Sequence, residues 1–276
     1  FSLYDTGSGT LDINVVNGVP SWTGTLNATE NGVTQILSTG QNNPGARINA
    51  FFNEAQSNGR NVVHKGNYKM KIDDGGGATT NGMIIFASIN PYTGGPSGTY
   101  DFQGVLSLNG HNNPLSNHVL IGIEQQLLNK STKMKNSGTI NIDSGNNVIG
   151  IQIDTEGSHP SGNEMDNSAG KININAQNSI GIDFGYYSPT PLHTDLKLGT
   201  INVNGTNNYG FRMRDYTSTV TFGGWSAPPT PTYYDDVTVS GTGGKITVKG
   251  TENVGISIAQ GISSGDPLSK ITDLNV

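Results

Sequence analysis

The sequence predicts an all-β protein wound as a right-handed parallel β-helix. Three observations carry that expectation. The C-terminal half writes one unit four times: GTINIDSGNNVIGIQID from Gly138, GKININAQNSIGIDFG from Gly170, GTINVNGTNNYGFRMRD from Gly199 and GKITVKGTENVGISIAQ from Gly244. Such self-similarity is the signature of a stacked array. Apolar residues in each unit alternate with polar ones at period two, which marks half-buried strands. The first two intervals are about 30 residues, which suits a solenoid coil and falls short of the roughly 40 to 45 of a propeller blade. An antiparallel sandwich ranks lower, having no reason to repeat its sequence.

In chain order, GTLDINVV from Gly9 reads as an opening strand. Residues 43–59 read as one short amphipathic helix, near 44–58, lying on the solenoid. Pro44 stands at a start position, Ile48, Phe51, Phe52 and Ala55 share a face, and Asn58-Gly59 is a stop signal. YKMKIDD from Tyr68 with NGMIIFAS from Asn81, and GVLSLNGHNN from Gly104 with VLIGIEQQ from Val119, are looser copies of a two-strand unit. The stretch 119–135 fits either a strand followed by a basic loop or a short helix. SKITDLNV, at the end of the sequence, reads as the first strand of a further coil. The chain is thus one continuous domain over 1–276, with irregular coils over 1–103 and regular coils over 104–276, interrupted by an insertion at 216–243.

In the regular copies the first strand carries Ile140 and Ile142, and the second Ile149, Ile151 and Ile153. Their counterparts are Ile172, Ile174, Ile180, Ile182 and Phe184, then Ile201, Val203, Tyr209, Phe211 and Met213, then Ile246, Val248, Val254, Ile256 and Ile258. Stacking places Ile140, Ile172, Ile201 and Ile246 in one interior column and Ile151, Ile182, Phe211 and Ile256 in another, each side chain contributing about 1.5 to 3 kcal/mol of transfer free energy. The outward Asn141, Asn173, Asn202 and Thr247 are polar in every copy, so exchange at Asn173 is expected to matter little. Asn147, Asn178 and Asn207 align at the turn and predict a stacked amide ladder. Gly150, Gly181, Gly210 and Gly255 recur within the second strand, where a glycine marks a bend or a close backbone approach; a bend is the preferred reading.

Composition narrows the function. With 39 Gly, 7% aromatic and 13% charged residues, the chain is far from an average enzyme and suits an extracellular solenoid. A net charge of -6 disfavours nucleic acid and anionic lipid as partners. The absence of cysteine excludes disulfides and Cys-ligated metal, and in a large secreted protein it suits bacterial export in an unfolded state. No apolar run reaches the roughly 18 residues of a membrane span. The chain reads as a mature or excised piece of something longer.

The units GTINIDSGNNVIGIQI, GTINVNGTNNYGF and GKITVKGTENVGISI resemble the passenger regions of type V autotransporters, most of all the large fusobacterial surface adhesins and more distantly the vacuolating cytotoxin-type passengers. The likeness covers about Gly104 to Ile258, with the N-terminal third fitting loosely. It implies a β-helix held at the bacterial cell surface or outer membrane by a C-terminal β-barrel that this sequence does not contain. It also implies adhesion to a protein or glycan on host cells or other bacteria, and carries no catalytic motif.

The residues themselves favour binding over catalysis. Asp73-Asp74 and Asp235-Asp236 are adjacent, and strand neighbours point to opposite faces. Asp143, Asp154, Asp183 and Asp215 sit near related strand ends and read as solvated turn carboxylates. Ser144 reads as a corner variant rather than a nucleophile. His64, His111, His118, His159 and His193 show no metal spacing, so neither metal nor cofactor is expected. Insertions in a solenoid project from its flank, where binding often occurs. The largest holds Trp225, Tyr233, Tyr234, Asp235 and Asp236 among prolines, and a smaller one, a coil earlier, holds Tyr186 and Tyr187. A third, 89–100, carries Pro91, Tyr92 and Tyr100. These aromatics are the candidate ligand contacts. The alternatives are a carbohydrate-active β-helix enzyme and a toxin-like passenger that oligomerises on host membranes. The fragment itself is expected to be monomeric.

Overall fold

The computed structural model describes residues 2–5, 9–16, 19–25, 28–29, 49–55, 61–74, 82–90, 99–127, 133–155, 163–185, 194–214, 221–222, 225–226, 237–258 and 270–272. All of their regular structure is β, and each coil contributes one strand to each of three largely parallel sheets. Sheet I contains Thr10–Val16, Asn67–Ile72, Val105–Asn109, Thr139–Ser144, Lys171–Ile174, Thr200–Val203 and Ile246–Val248, stacked in chain order. Sheet II contains Asn49–Ala55, Met83–Asn90, Val119–Leu127, Val148–Thr155, Ile180–Phe184, Tyr209–Met213 and Val254–Ile258. Sheet III contains Ser2–Asp5, Asn61–His64, Thr99–Phe102, Lys133–Asn136, Asn163–Asp166, Thr194–Lys197, Val237–Ser240 and Lys270–Thr272. This is a β-helix-like solenoid. At the N-terminal end two strands run the other way: Val19–Thr25 pairs antiparallel with Thr10–Val16, and Ala28–Thr29 with Ser2–Asp5.

The two interior columns expected from the alternation are present in register. Ile140, Ile172, Ile201 and Ile246 are successive partners in sheet I, and Ile151, Ile182, Phe211 and Ile256 in sheet II. The third strand of each coil completes the enclosure with Tyr100, Met134, Met165, Leu196 and Val239, all at most 1% exposed. Near the N-terminal end this interior is aromatic. Tyr68 and Phe86 stand 4.9 Å apart, and the Tyr100 hydroxyl meets His64 Nδ1 at 3.0 Å.

The helix expected near 44–58 is not formed where the chain is described: Asn49–Ala55 is a strand, paired in parallel with Met83–Asn90. A short apolar cluster fits either period. Here the backbone edge of Met83–Asn90 settles it, because unpaired N–H and C=O groups take a strand as partner. The rest of that stretch lies outside the described residues. The ambiguous stretch 119–135 resolves into Val119–Leu127 and Lys133–Asn136, with 128–132 outside the described residues.

The glycine column combines both readings of strand glycine. Val148, Ile151 and Ile153 join the main core, while Ile149 packs on the other face with Ile85, Ile121 and Ile180. Alternation therefore slips by one residue at Gly150, and Ile149, Ile180 and Tyr209 do not share the inward face of Ile151, Ile182 and Phe211 on which the period of two placed them. A Cβ on Gly150 would stand 2.7 Å from the Gly181 carbonyl oxygen, and one on Gly181 2.6 Å from that of Gly210. Only glycine permits that approach.

Asparagine links the coils outside and inside. Asn173 Nδ2 donates to Asn141 Oδ1 at 2.8 Å, and Asn202 Nδ2 to Asn173 Oδ1 at 2.8 Å. At the turn Asn207 donates to Asn178 at 2.7 Å and Asn178 to Asn146 at 2.9 Å, so the ladder runs through Asn146, while Asn147 meets His111 Nε2. Asn147, Asn178 and Asn207 have φ of 56, 49 and 55°, the left-handed region that asparagine tolerates best after glycine. Buried amides serve the corners: Asn208 donates to the carbonyls of Ala176 and Asn204, and accepts from Ser179 N. Asn136 and Asn167, both wholly buried, do the same between sheets III and I, where Asn136 donates to Asn167 and Asn167 to the Leu198 carbonyl.

The interior and the ladder predict different penalties. Ile182→Asp, at 0% exposure, is expected to abolish the cooperative transition in urea, since it buries an unpaired charge. Asn173→Ala is not neutral, because it breaks two amide hydrogen bonds; a loss of about 1 to 2 kcal/mol is expected in the same titration. Equal tolerance of the two changes would refute the assigned faces.

Candidate binding flank

From Thr139 onward the connections of greatest length share one corner. Segments 91–98, 128–132, 156–162, 186–193, 215–236 and 259–269 each join the end of a sheet II strand to the start of a sheet III strand. The sheet III to I corner is short throughout, as at 103–104 and 137–138. The sheet I to II corner is short in the regular copies, as at 145–147 and 204–208, and longer only in earlier coils. Because parallel strands stack in register, the roots of the two insertions singled out from sequence are adjacent: Ile180–Phe184 pairs with Tyr209–Met213, and Thr194–Lys197 with Val237–Ser240.

Of the candidate ligand contacts, Tyr186, Tyr187, Tyr233, Tyr234, Asp235 and Asp236 lie outside the described residues. Trp225 is placed by its backbone: Trp225–Ser226 pairs antiparallel with Thr221–Phe222, with Phe222 opposite Trp225, so the large insertion contains a hairpin. Tyr100 does not belong to a loop. It lies in Thr99–Phe102, wholly buried against His64.

The residues that root these insertions form a charged cluster that sequence reasoning missed. Asp183 is 1% exposed and not a solvated turn carboxylate. Arg212, its partner one coil on, grips it through Nε at 2.9 Å and Nη2 at 3.1 Å, the two-pronged geometry of a strong carboxylate pair. Arg214 Nε stands 3.2 Å from Oδ2, the oxygen that Arg212 Nη2 also contacts. The Arg214 guanidinium lies against Gly185, where a Cβ would fall 2.1 Å from its central carbon. Asp183 precedes the insertion after Gly185 and Arg214 precedes the one after it, so one buried carboxylate holds both roots. The register signal was present in the sequence, as Asp183 and Arg212 occupy equivalent positions in successive copies.

Asp183 belongs to a polar row on the outer side of sheet II: Ser88, Glu124, Gln152, Asp183 and Arg212 are successive register partners. Ser88 Oγ donates to Glu124 at 2.7 Å. Gln152 is wholly buried, and among the described residues neither of its amide atoms has a hydrogen-bond partner. Beside this row runs an apolar one of Ile85, Ile121, Ile149, Ile180 and Tyr209.

Two other clusters bear on catalysis. Ser116, His118 and Asp74 meet, but Ser116 Oγ donates to Asp74 Oδ2 at 2.5 Å and His118 Nδ1 meets the same oxygen at 2.8 Å. A nucleophile needs its hydroxyl on the imidazole, and here the carboxylate takes it; the trio ties the loop before Val119 to the end of Asn67–Ile72. Ser144 Oγ donates to Asn109 on the exposed surface, as a corner residue does. Among the described residues no group of three or more metal-ligating side chains occurs. His159 and His193 lie outside them.

Sheet III carries a charged outer column, Asp101, Lys135, Asp166 and Lys197, partnered in register. Lys197 Nζ reaches Glu164 at 3.0 Å and Asp166 at 3.1 Å. Burial pushes the Asp166 carboxyl up, but hydrogen bonds from Ser168 and Lys197 outweigh it and hold the group below its ordinary 3.8. Hydrogen bonds to Glu164 and Asp166 hold the Lys197 ammonium above its ordinary 10.5.

Comparison with known proteins finds no matching family model, curated protein or solved structure.

Two predictions follow from these charges. Asp183→Ala leaves Arg214 without its carboxylate, and a loss of about 3 to 5 kcal/mol is expected in urea unfolding, with faster amide exchange over Ile180–Phe184 and Tyr209–Met213. The Asp166 contribution is complete above pH 3.8 and is lost as pH falls through its lower folded value. That of Lys197 is complete below pH 10.5 and is lost as pH rises through its higher folded value. Lys197→Met should therefore lower stability at neutral pH and flatten both the acid and the alkaline limb of the Tm–pH profile; unchanged limbs would show that the network contributes nothing.

Proposed function

We propose that this chain is the passenger section of a bacterial surface adhesin, a right-handed parallel β-helix that presents loops to a protein or glycan receptor. One observation carries the reading: from Thr139 onward every long connection leaves at the same corner, and the two candidate insertions are rooted side by side on Asp183. A rigid stack with variable loops along one edge is how scaffolds present binding surfaces. The largest insertion concentrates Trp225, Tyr233 and Tyr234 with prolines, residue types that supply contact area at low conformational entropy. Right-handed winding is the sense that parallel crossovers adopt in nearly every known case. The repeat resembles autotransporter passengers, and a C-terminal membrane β-barrel would then provide the anchor.

The test replaces 215–236 by the sequence of 128–132, which makes the same connection in an earlier coil, so that Arg214 and Val237 remain joined. The parent is expected to bind host or bacterial cells saturably, and the replacement to bind at least about tenfold more weakly with an unchanged urea midpoint. Undiminished binding would remove the insertion from the interface. New chain ends released from acidic or neutral polysaccharides would replace the adhesin by an enzyme, and dye leakage from liposomes by a membrane-active toxin.

A further inference from the structure

We infer that Arg212 and Tyr209, on the outer side of sheet II at the root of the large insertion, form a binding site for the carboxylate of an acidic sugar. The inference rests on the adhesin reading and names the chemical class of its receptor. The polar row of sheet II is buried from Ser88 through Glu124 and Gln152 to Asp183, at most 4% exposed, and reaches the surface at Arg212, whose side chain is 33% exposed. That side of the sheet is perpendicular to the stacking direction. Arg212 already has Ser257 stacked on it in register, so further coils would lengthen the row without covering it.

Arg212 is fixed on two sides and open on a third. A guanidinium carries five N–H donors in a rigid fork. Nε and one N–H of Nη2 are spent on Asp183, at 2.9 and 3.1 Å, and the central carbon lies over the Tyr209 ring, 5.7 Å from its centroid. Among the described residues Arg212 makes no other polar contact. The edge formed by Nη1 and the second N–H of Nη2 is therefore free, and such an edge takes a planar carboxylate through two parallel hydrogen bonds. Because Asp183 and Tyr209 already hold the side chain, a ligand gains those bonds without first ordering a long flexible group.

The surroundings select the ligand. The chain carries a net charge of -6, which repels a polyanion, whereas one lone carboxylate suits one guanidinium. Tyr209 is half-buried, and among the described residues its hydroxyl makes no hydrogen bond. An uncharged donor and acceptor thus stands beside the cation, within the span of a single sugar residue. A carboxylate flanked by hydroxyl groups is the chemistry of a uronic or sialic acid; an aspartate or glutamate side chain offers the carboxylate alone.

The probes are the methyl glycosides of N-acetylneuraminic and glucuronic acid, each titrated into the intact protein by NMR beside its methyl ester, which keeps the ring and hydroxyls but has no charge. Saturable binding of an acid is expected, with its ester at least about tenfold weaker and the Arg212 guanidinium resonances shifted. Arg212→Lys keeps the charge without the second prong. It should weaken the acid at least about tenfold while urea unfolding stays cooperative; if that variant does not fold, the acid-to-ester ratio of the parent decides. No binding of either acid, equal binding of acid and ester, or undiminished binding by folded Arg212→Lys would overturn the site. Tighter binding of an aspartate-rich peptide than of either sugar would overturn the choice of ligand. Saturable cell binding that neither free acid inhibits would overturn this site and leave the adhesin reading intact; sugar binding by a protein that binds no cells would do the reverse.

Discussion

The structure depends on coil stacking at the spacing of paired strands, about 4.8 Å. At that distance anything that projects along the stacking direction must either bond to the next coil or be absent. Gly150, Gly181 and Gly210 are cases of absence, each with the next glycine carbonyl where a Cβ would begin. The asparagines are cases of bonding, from Asn202 to Asn173 to Asn141 and from Asn207 to Asn178 to Asn146. The abundance of glycine and asparagine, which first reads as a sign of loops, records this spacing.

The same constraint explains where polar groups are buried. A corner turns the backbone out of its ladder and leaves N–H and C=O groups without strand partners, a penalty too large to leave standing in a dry interior. Asn136, Asn167 and Asn208 supply amides at those places. Where sheet II ends, the burden falls on charge: Asp183 between Arg212 and Arg214 secures the coil ends from which the two candidate insertions leave. Stability of the scaffold and position of the proposed binding loops are thus tied to one carboxylate.

Much of the architecture was legible in the repeat. The columns of Ile140 and Ile151 stack with the expected partners, because each repeat carries its own alternation. The third strand escaped notice because Lys133–Asn136, Asn163–Asp166 and Thr194–Lys197 each contain one buried apolar residue, Met134, Met165 and Leu196, and a single apolar residue shows no apolar period even where a polar one, Asn136 or Thr194, is buried beside it. The helix expected near 44–58 failed at Asn49–Ala55 for a related reason, since a cluster such as Ala50, Phe51 and Phe52 suits either period and the waiting strand edge chose between them. Ile149 and Ile180 were assigned to the interior on alternation that Gly150 and Gly181 interrupt.

The candidate aromatics were legible as composition alone, and the Asp183 cluster only as equivalent positions in successive copies. Local order in this chain, meaning strands, left-handed turns at Asn147, Asn178 and Asn207 and an apolar inner face, follows from residues within one repeat. Those preferences act between near neighbours, so the sequence alone determines them. Which residues touch across coils is a matter of register between positions 28 to 59 residues apart. Only the stacked structure decided that Asp183 meets two arginines, that the outer asparagines hold one another, and that the long connections from Thr139 onward share an edge. The reason is physical: those contacts do not exist until the coils have closed on one another at the strand spacing.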